Sequence, residues 1–263
     1  MLELADWPLA DRRQLIGVFT DIDDTLTTEG AITPDALQAL GDLKAAGLHV
    51  IPITGRPIGW SEPLARGDAT RGLLPWPVDA IVAETGAAAF ACQNLYEIGL
   101  QPPSLLRKQL SKLYQQDAAT RAANYSRMQE VARQVLREVP GAQLSQDSAG
   151  RETDIAIDHS EFTHLGPEHI AQAVRIMQSA GMTASVSSIH INGWFGAHNK
   201  LVGARWIVRE LFGRELDAEL NQWAFVGDSP NDQVMFEHFP HSVGVANIQR
   251  FEAQLTHQPR YIA

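Results

Sequence analysis

Apolar positions along this chain fall into two patterns. Short solid runs mark strands buried on both faces, and apolar residues recurring every three or four positions mark helices with one covered face. Ile16-Gly17-Val18-Phe19 is the first solid run. Thr33-Pro34-Asp35 then starts a helix, with Thr33 as N-cap and proline in the first turn, where its missing N–H is not needed. Leu37, Leu40 and Leu43 line one face of that helix, and Gly47 ends it. Residues 49–53 make a second buried strand. A short helix is expected over 58–66 and a third core strand over 78–83. Towards the other end, Lys200 opens a helix to about Leu211, with Asn199 or His198 as its cap. A strand over 223–226, a short helix to about His238 and a last strand over 242–245 complete the series.

Between about 88 and 192 the texture changes. Helices are expected over 104–116, 125–139 and 167–180. Residues 151–158 alternate, with Thr153, Ile155 and Ile157 on one face and Glu152, Asp154 and Asp158 on the other. That alternation predicts an antiparallel strand with one wet face. Residues 182–191 read as a further strand. The chain is therefore expected to be α/β, with a doubly wound parallel sheet built from residues 1–88 and 193–263. Residues 89–192 would be a smaller α/β domain inserted into it.

Composition narrows the function classes. The chain has 263 residues, 44% hydrophobic and 20% charged, an ordinary globular balance. Its formal net charge of −10 argues against a nucleic-acid partner gripped through phosphates. Cys92 is the single cysteine, so neither an internal disulfide nor a thiolate metal cage is expected, which suits the cytoplasm. The acidic start MLELADWPLADRR lacks the apolar core of a secretory signal, and no apolar stretch is long enough to span a membrane.

The chemistry collects at strand ends. The first apolar run stops in Asp21, Asp23 and Asp24, and ligands of open α/β sheets sit at the carboxyl ends of strands. Asp21 and Asp23 leave an extended backbone on the same side, about 7 Å apart along the chain. Two carboxylates so close call for a cation or a shared proton. The second strand ends in Thr54-Gly55-Arg56. A strand-helix-strand unit of fixed hand brings Thr54 near Asp21. A hydroxyl, a glycine N–H and a guanidinium facing acids suit a phosphate.

Four signals thus stand in order: Asp21-x-Asp23-x-Thr25, Thr54-Gly55-Arg56, Lys200, and Gly227-Asp228-x-x-Asn231-Asp232. Together they resemble the motifs of the haloacid dehalogenase superfamily of phosphohydrolases, whose pattern is DxDxT, a Thr or Ser, a Lys and GDxxxD. The insertion between Thr54 and Lys200 looks like a C2 α/β cap. That is the branch of Cof-like phosphatases, sucrose-phosphate phosphatase, mannosyl-3-phosphoglycerate phosphatase and trehalose-phosphate phosphatase. Asp24, where the family often has glycine, and Glu84-Thr85-Gly86, where Glu-Asn-Gly is common, depart from the pattern.

The resemblance implies a Rossmann-like core and a phosphomonoesterase acting on a small soluble ester, a sugar phosphate or phosphoglycerate-type metabolite. Asp21, Asp23, Asp228 and Asp232 would crowd up to four negative charges against Lys200, and a divalent ion with oxygen ligands relieves that crowding. The resemblance implies Mg²⁺ on the Asp21 carboxylate, the Asp23 carbonyl and Asp228. Asp21 would attack phosphorus to form an aspartyl-phosphate, and Asp23 would serve as acid and then as base. Thr54, Lys200 and the N–H groups of Ile22 and Gly55 would hold the phosphoryl oxygens, with Arg56 beside them. Asn231 and Asp232 would orient Lys200 and metal waters. On the inserted domain, Arg151, Glu152, Asp154, Ser188 and His190 are the expected readers of the leaving group, and Trp60 and Trp194 flank motif segments. A phosphosugar mutase, or a catalytically idle binding module on the same fold, remains open at this point.

Overall fold

The computed structural model describes residues 1–93 and 109–263. The chain begins with β1 (Leu2–Glu3), α1 (Leu9–Arg12) and β2 (Gly17–Thr20). A small hairpin of β3 (Thr27–Thr28) and β4 (Ala31–Ile32) follows. Next come α2 (Pro34–Ala45), β5 (His49–Pro52), α3 (Ile58–Arg66), β6 (Ala80–Ala83), β7 (Ala88–Gln93) and β8 (Gln109–Tyr114). A second group holds α4 (Ala118–Glu138), β9 (Gln143–Leu144), β10 (Ile155–Asp158), α5 (Pro167–Ser179), β11 (Thr183–Val186) and β12 (His190–Trp194). The chain then returns through α6 (Lys200–Phe212), β13 (Trp223–Gly227), α7 (Gln233–His238), β14 (His241–Gly244) and β15 (Tyr261–Ile262).

The central sheet runs β1-β15-β14-β13-β2-β5, every neighbouring pair parallel. Its strands carry the solid apolar runs because helices cover both faces. Phe19, Ile51, Phe225 and Trp223 pack with Ile207 and Phe239 on one side, and Val50 and Ile22 pack with Leu40, Ile58 and Ile81 on the other. Thr20 is level with Val226 on one side and with Pro52 on the other. Asp21, Gly227-Asp228 and Thr54 therefore leave the sheet at one edge. A parallel bridge from Ile53 to Val82 adds β6, on which β7 and β8 fold back antiparallel.

The second sheet is antiparallel, in the order β11-β12-β10-β9. Helices α4 and α5 bury Met128, Val131, Val135 and Met177 against its Ile157 and Ile191. The expected break at residues 88 and 89 falls at the start of β7, which stays hydrogen-bonded to β6. The path to the second sheet begins after Tyr114.

Four expectations change. Residues 109–114 form β8, not a helix; residues 104–108 of that expected helix lie outside the described residues. Leu110 and Tyr114 face one core and Leu113 the other, so pairing with β7 overrides helical spacing. Helix α4 starts two turns before 125, where Asp117 accepts the Thr120 N–H at 2.9 Å. Those first turns are mostly alanine and largely exposed, so they carry no stripe of large apolar residues. Strand β10 covers only 155–158, and all four of its residues are buried. Its expected wet face is dry: Asp158 accepts the N–H groups of Ser160, Glu161, Phe162 and Thr163. Residues 182–191 divide into β11 and β12, with a turn at 187–189 between them. Among the described residues, no helix is long and apolar enough to cross a membrane.

Candidate active site

Lys200 is the first residue of α6, whose N-cap Asn199 accepts the Val202 N–H at 2.9 Å. The helix can sit here because Gly203 lies against the turn after β6. A Cβ on Gly203 would come within 2.5 Å of the Gly86 Cα. Gly86 itself has φ of 102°, a left-handed conformation that suits glycine. Lys200 is fully buried, and its Nζ lies 2.7 Å from both Asp21 Oδ1 and Asp232 Oδ1. Burial alone would push its pKa down. Asp21 and Asp232 outweigh that and hold it above the ordinary lysine value.

Asp21 follows β2, and its N–H donates to the Val226 carbonyl, which locks it to the neighbouring strand. Burial pushes its carboxyl up to about 7 against the pull of Lys200. Asp228 follows β13 and is pushed up to about 9, first by burial and then by the charges of Asp21 and Asp232. Asn247 donates to Asp228 Oδ2 at 3.0 Å and Thr25 to Oδ1 at 3.4 Å. Asp232 has no free oxygen, because Oδ2 accepts the N–H groups of Asp228 and Ser229 while Oδ1 takes Lys200. That carboxylate crowds Gly227, where a Cβ would meet it at 2.5 Å.

One carboxylate oxygen from each of Asp21, Asp228 and Asp232 lies within 4.8 Å of the others. The donors are all hard oxygens, and burial, followed by repulsion between neighbouring acids, raises the carboxyls of Asp21 and Asp228. This set could hold a metal ion, and it fits a hard divalent cation. Asp232 accepts three hydrogen bonds against two on Asp228 and one on Asp21, so Asp21 and Asp228 have the more lone pairs to offer it.

Asp23 is held from the other side. Arg56 donates to both its oxygens, through Nε at 3.0 and 3.1 Å and through NH2 at 2.8 Å. The same guanidinium reaches Asp147 at 3.2 Å and Glu161 at 2.7 Å, both belonging to the second group of elements. His190 Nε2 lies 2.8 Å from Glu161. Burial would raise the Glu161 carboxyl, but His190 and Arg56 pull it down to about 2. Above Asp21 and Asp23, between the two sheets, lies a narrow, partly open cleft with room for about one water-sized sphere. Its far wall is the 187–189 turn with His190 and Asn192.

Most of the motif residues converge on this cavity. Asp21, Asp23, Thr54, Gly55, Arg56 and Asn231 line it, and Asp228, Asp232 and Lys200 stand behind Asp21. Ile22, the residue between the two acids, is fully buried. Ser188 and His190 also line the cavity. The other three expected readers do not. Arg151 and Asp154 are buried and bonded to each other at 2.9 Å. Arg151 also reaches the Gly55 carbonyl at 2.9 Å and Asp147 at 3.1 Å. Glu152 pairs with Lys112 and Tyr114 away from the cavity. Trp60 lies beneath Arg56, 5.2 Å from its Cζ, and Trp194 is buried in the second core. Asp147, Glu161, Asn192 and Asn247 are additions that no motif announces. Asp147, four positions before Arg151, carried the only faint signal.

No protein-family profile matches the chain, and no curated protein is significantly similar to it. Solved structures do resemble it. The sucrose-phosphatase of Synechocystis sp. PCC6803, solved with sucrose and phosphate, is 18% identical, with a TM-score of 0.61 over 95% of this chain and 91% of that one. A Thermoplasma acidophilum protein is 16% identical, with a TM-score of 0.63 over 95% and 92% of the two chains. A subclass IIB sugar phosphatase of the haloacid dehalogenase superfamily is 16% identical, with a TM-score of 0.59 over 94% and 92%. Mixed α/β layers, a parallel central sheet and this breadth of overlap give the chain the fold of the haloacid dehalogenase superfamily phosphatases.

Proposed function

We propose that the protein is a Mg²⁺-dependent phosphomonoesterase of the cytoplasm that hydrolyses a small soluble ester, a sugar phosphate or phosphoglycerate-type metabolite. The observation that carries this reading is the buried Asp21 carboxylate, fixed by Lys200 at 2.7 Å on a sheet edge beside Asp228 and facing a narrow cleft lined mostly by polar residues. The sucrose and phosphate bound by the Synechocystis relative support the substrate class. Residues 1–88 and 193–263 are read as the catalytic core and 89–192 as an inserted cap, with β7 and β8 as its footing on the core sheet.

Asp21 attacks phosphorus in line, and the bond from phosphorus to the leaving oxygen breaks. The leaving alkoxide takes a proton from Asp23. In the second half, Asp23 takes a proton from water, and that water attacks phosphorus and frees Asp21 and inorganic phosphate. Arg56 holds the Asp23 carboxylate beside Asp21 in the resting site through both its oxygens, and gives up one of them when Asp23 carries the proton for the leaving group. The Thr54 hydroxyl, the N–H groups of Ile22 and Gly55 and the Lys200 ammonium hold the phosphoryl oxygens. Asp21, the Asp23 carbonyl and Asp228 would hold Mg²⁺, which supplies positive charge against the phosphate, with Asn231 and Asp232 orienting groups around it. The narrow cleft leaves little room for bulk water beside the reacting atoms.

The test is phosphate release from an aryl phosphate with Mg²⁺ and with EDTA, followed by a panel of sugar phosphates and phosphoglycerates. Mg²⁺-dependent release is the expected result. Full activity in EDTA overturns the metal, and no release from any ester overturns the reading.

A further inference from the structure

Charge at the cavity separates two kinds of leaving group. Arg56 is the one cation among the described residues that line it, and Lys200 lies just behind Asp21. Both are already matched. Lys200 is fully buried between Asp21 and Asp232. Arg56 engages Asp23, Asp147 and Glu161 with all three of its nitrogens. A substrate carboxylate could recruit Arg56 only by displacing those carboxylates.

The groups left over are neutral. Asn231 accepts the Ser229 hydroxyl through Oδ1, which leaves its amide hydrogens for the cavity. The Ser188 hydroxyl has no partner among the described residues. His190 is buried and turns Nε2 to Glu161, which leaves Nδ1 as an acceptor when the ring is neutral. Hydroxyl groups can use such donors and acceptors. The charged neighbours of a second anion would be the phosphate, nearby carboxylates and an Arg56 that three carboxylates already match, in a narrow space with little room for water.

Building on the phosphatase reading, we infer that the site takes esters whose leaving group is uncharged and hydroxylated. Esters whose leaving group carries a carboxylate are turned away, and Glu161, through its hold on Arg56 and His190, enforces that choice. This narrows the substrate to the phosphate of a polyol or simple sugar.

Two matched pairs test it. Glycerol 3-phosphate and 3-phosphoglycerate differ by a hydroxymethyl group against a carboxylate, and glucose 6-phosphate and 6-phosphogluconate differ by a carboxylate on the open chain. An aryl phosphate gauges the parent reading independently. The uncharged member of each pair that turns over should have kcat/KM at least about tenfold higher. Glu161→Gln, which leaves Arg56 one anion fewer, should narrow the ratio several-fold. Ser188→Lys, which adds a cation to the wall, should narrow it as well, and it decides the matter if the first variant does not fold. Equal kcat/KM, or preference for the carboxylate esters, while the aryl phosphate is hydrolysed, overturns this inference alone. No hydrolysis of the aryl phosphate or of any ester overturns it together with the parent reading. A folded Glu161→Gln enzyme with an unchanged ratio removes Glu161 from the explanation.

Discussion

Glu84 and Thr153 bond twice across the junction of the two sheets: the Thr153 N–H and its hydroxyl both donate to the same Glu84 oxygen. Glu84 is fully buried and also accepts the N–H groups of Ile58 and Glu152. Its φ is 49° and that of Thr85 is 54°, a left-handed pair without glycine that the surrounding bonds must hold in place. One carboxylate thus ties the start of α3, the end of β6 and the loop before β10. Glu84→Gln puts amide hydrogens against N–H donors. It should cost about 2–4 kcal/mol of stability by urea unfolding. A loss below about 0.5 kcal/mol would show that the junction does not depend on it.

Arg151 extends the same junction. Its charge is shut away with Asp154, whose carboxyl burial pushes up to about 7 against the pull of Arg151. Arg151→Met leaves Asp154 buried without its partner and should destabilise by about 3–5 kcal/mol. Replacing both, as Arg151→Met with Asp154→Leu, should recover much of that loss. Ser188→Ala should leave the melting temperature within about 2 °C while changing KM for the natural ester. A stable Arg151→Met protein with a raised KM would return Arg151 to the substrate side.

These two residues show where the sequence was readable and where it was not. Strand ends of a parallel sheet lie on one edge by topology, so Asp21, Thr54 and Asp228 could be brought together from order alone, and Lys200 from its place at a helix start. Arg151 and Asp154 also had the right chemistry, but alternation along a strand does not say which face meets another domain. Asp154 and Asp158 both turned inward, and the 187–189 turn, which walls the cavity, was hidden inside a run read as one strand. Glu161 and Asp147 sit in irregular loops. Their role comes from contact with Arg56 across a domain junction, and no periodicity encodes that.

Asp21→Asn should keep the fold and remove turnover. An amide does not attack phosphorus, and the neutral side chain still fits beside Lys200, which keeps Asp232 as its counter-ion. The fall in kcat should exceed about 1,000-fold, or about 4 kcal/mol, with the melting temperature measured alongside. Residual activity above that level sinks the covalent route.

Proton linkage gives a test of the metal site that needs no substrate. The carboxyls of Asp21 and Asp228 are raised from an ordinary 3.8 to about 7 and about 9. The folded protein without metal therefore binds these protons more tightly than the unfolded chain does. Their stabilising contribution is fully present below pH 3.8 and is lost as pH rises through about 7 and about 9. Asp154 adds a loss of the same sign around 7. His198 has the opposite sign: burial pushes it down to about 4, so its contribution is lost as pH falls below the ordinary 6.5. Above pH 6.5 that term is nearly constant. In EDTA, the melting temperature should fall steadily between pH 6.5 and about 9. Saturating Mg²⁺ should flatten the slope, because the cation takes the place of the protons on Asp21 and Asp228. A shallow slope up to about pH 7 should persist from Asp154, which is paired with Arg151. Asp228→Asn should flatten the EDTA curve and abolish the effect of Mg²⁺. Identical slopes in EDTA and Mg²⁺ would mean that these carboxylates do not hold the ion.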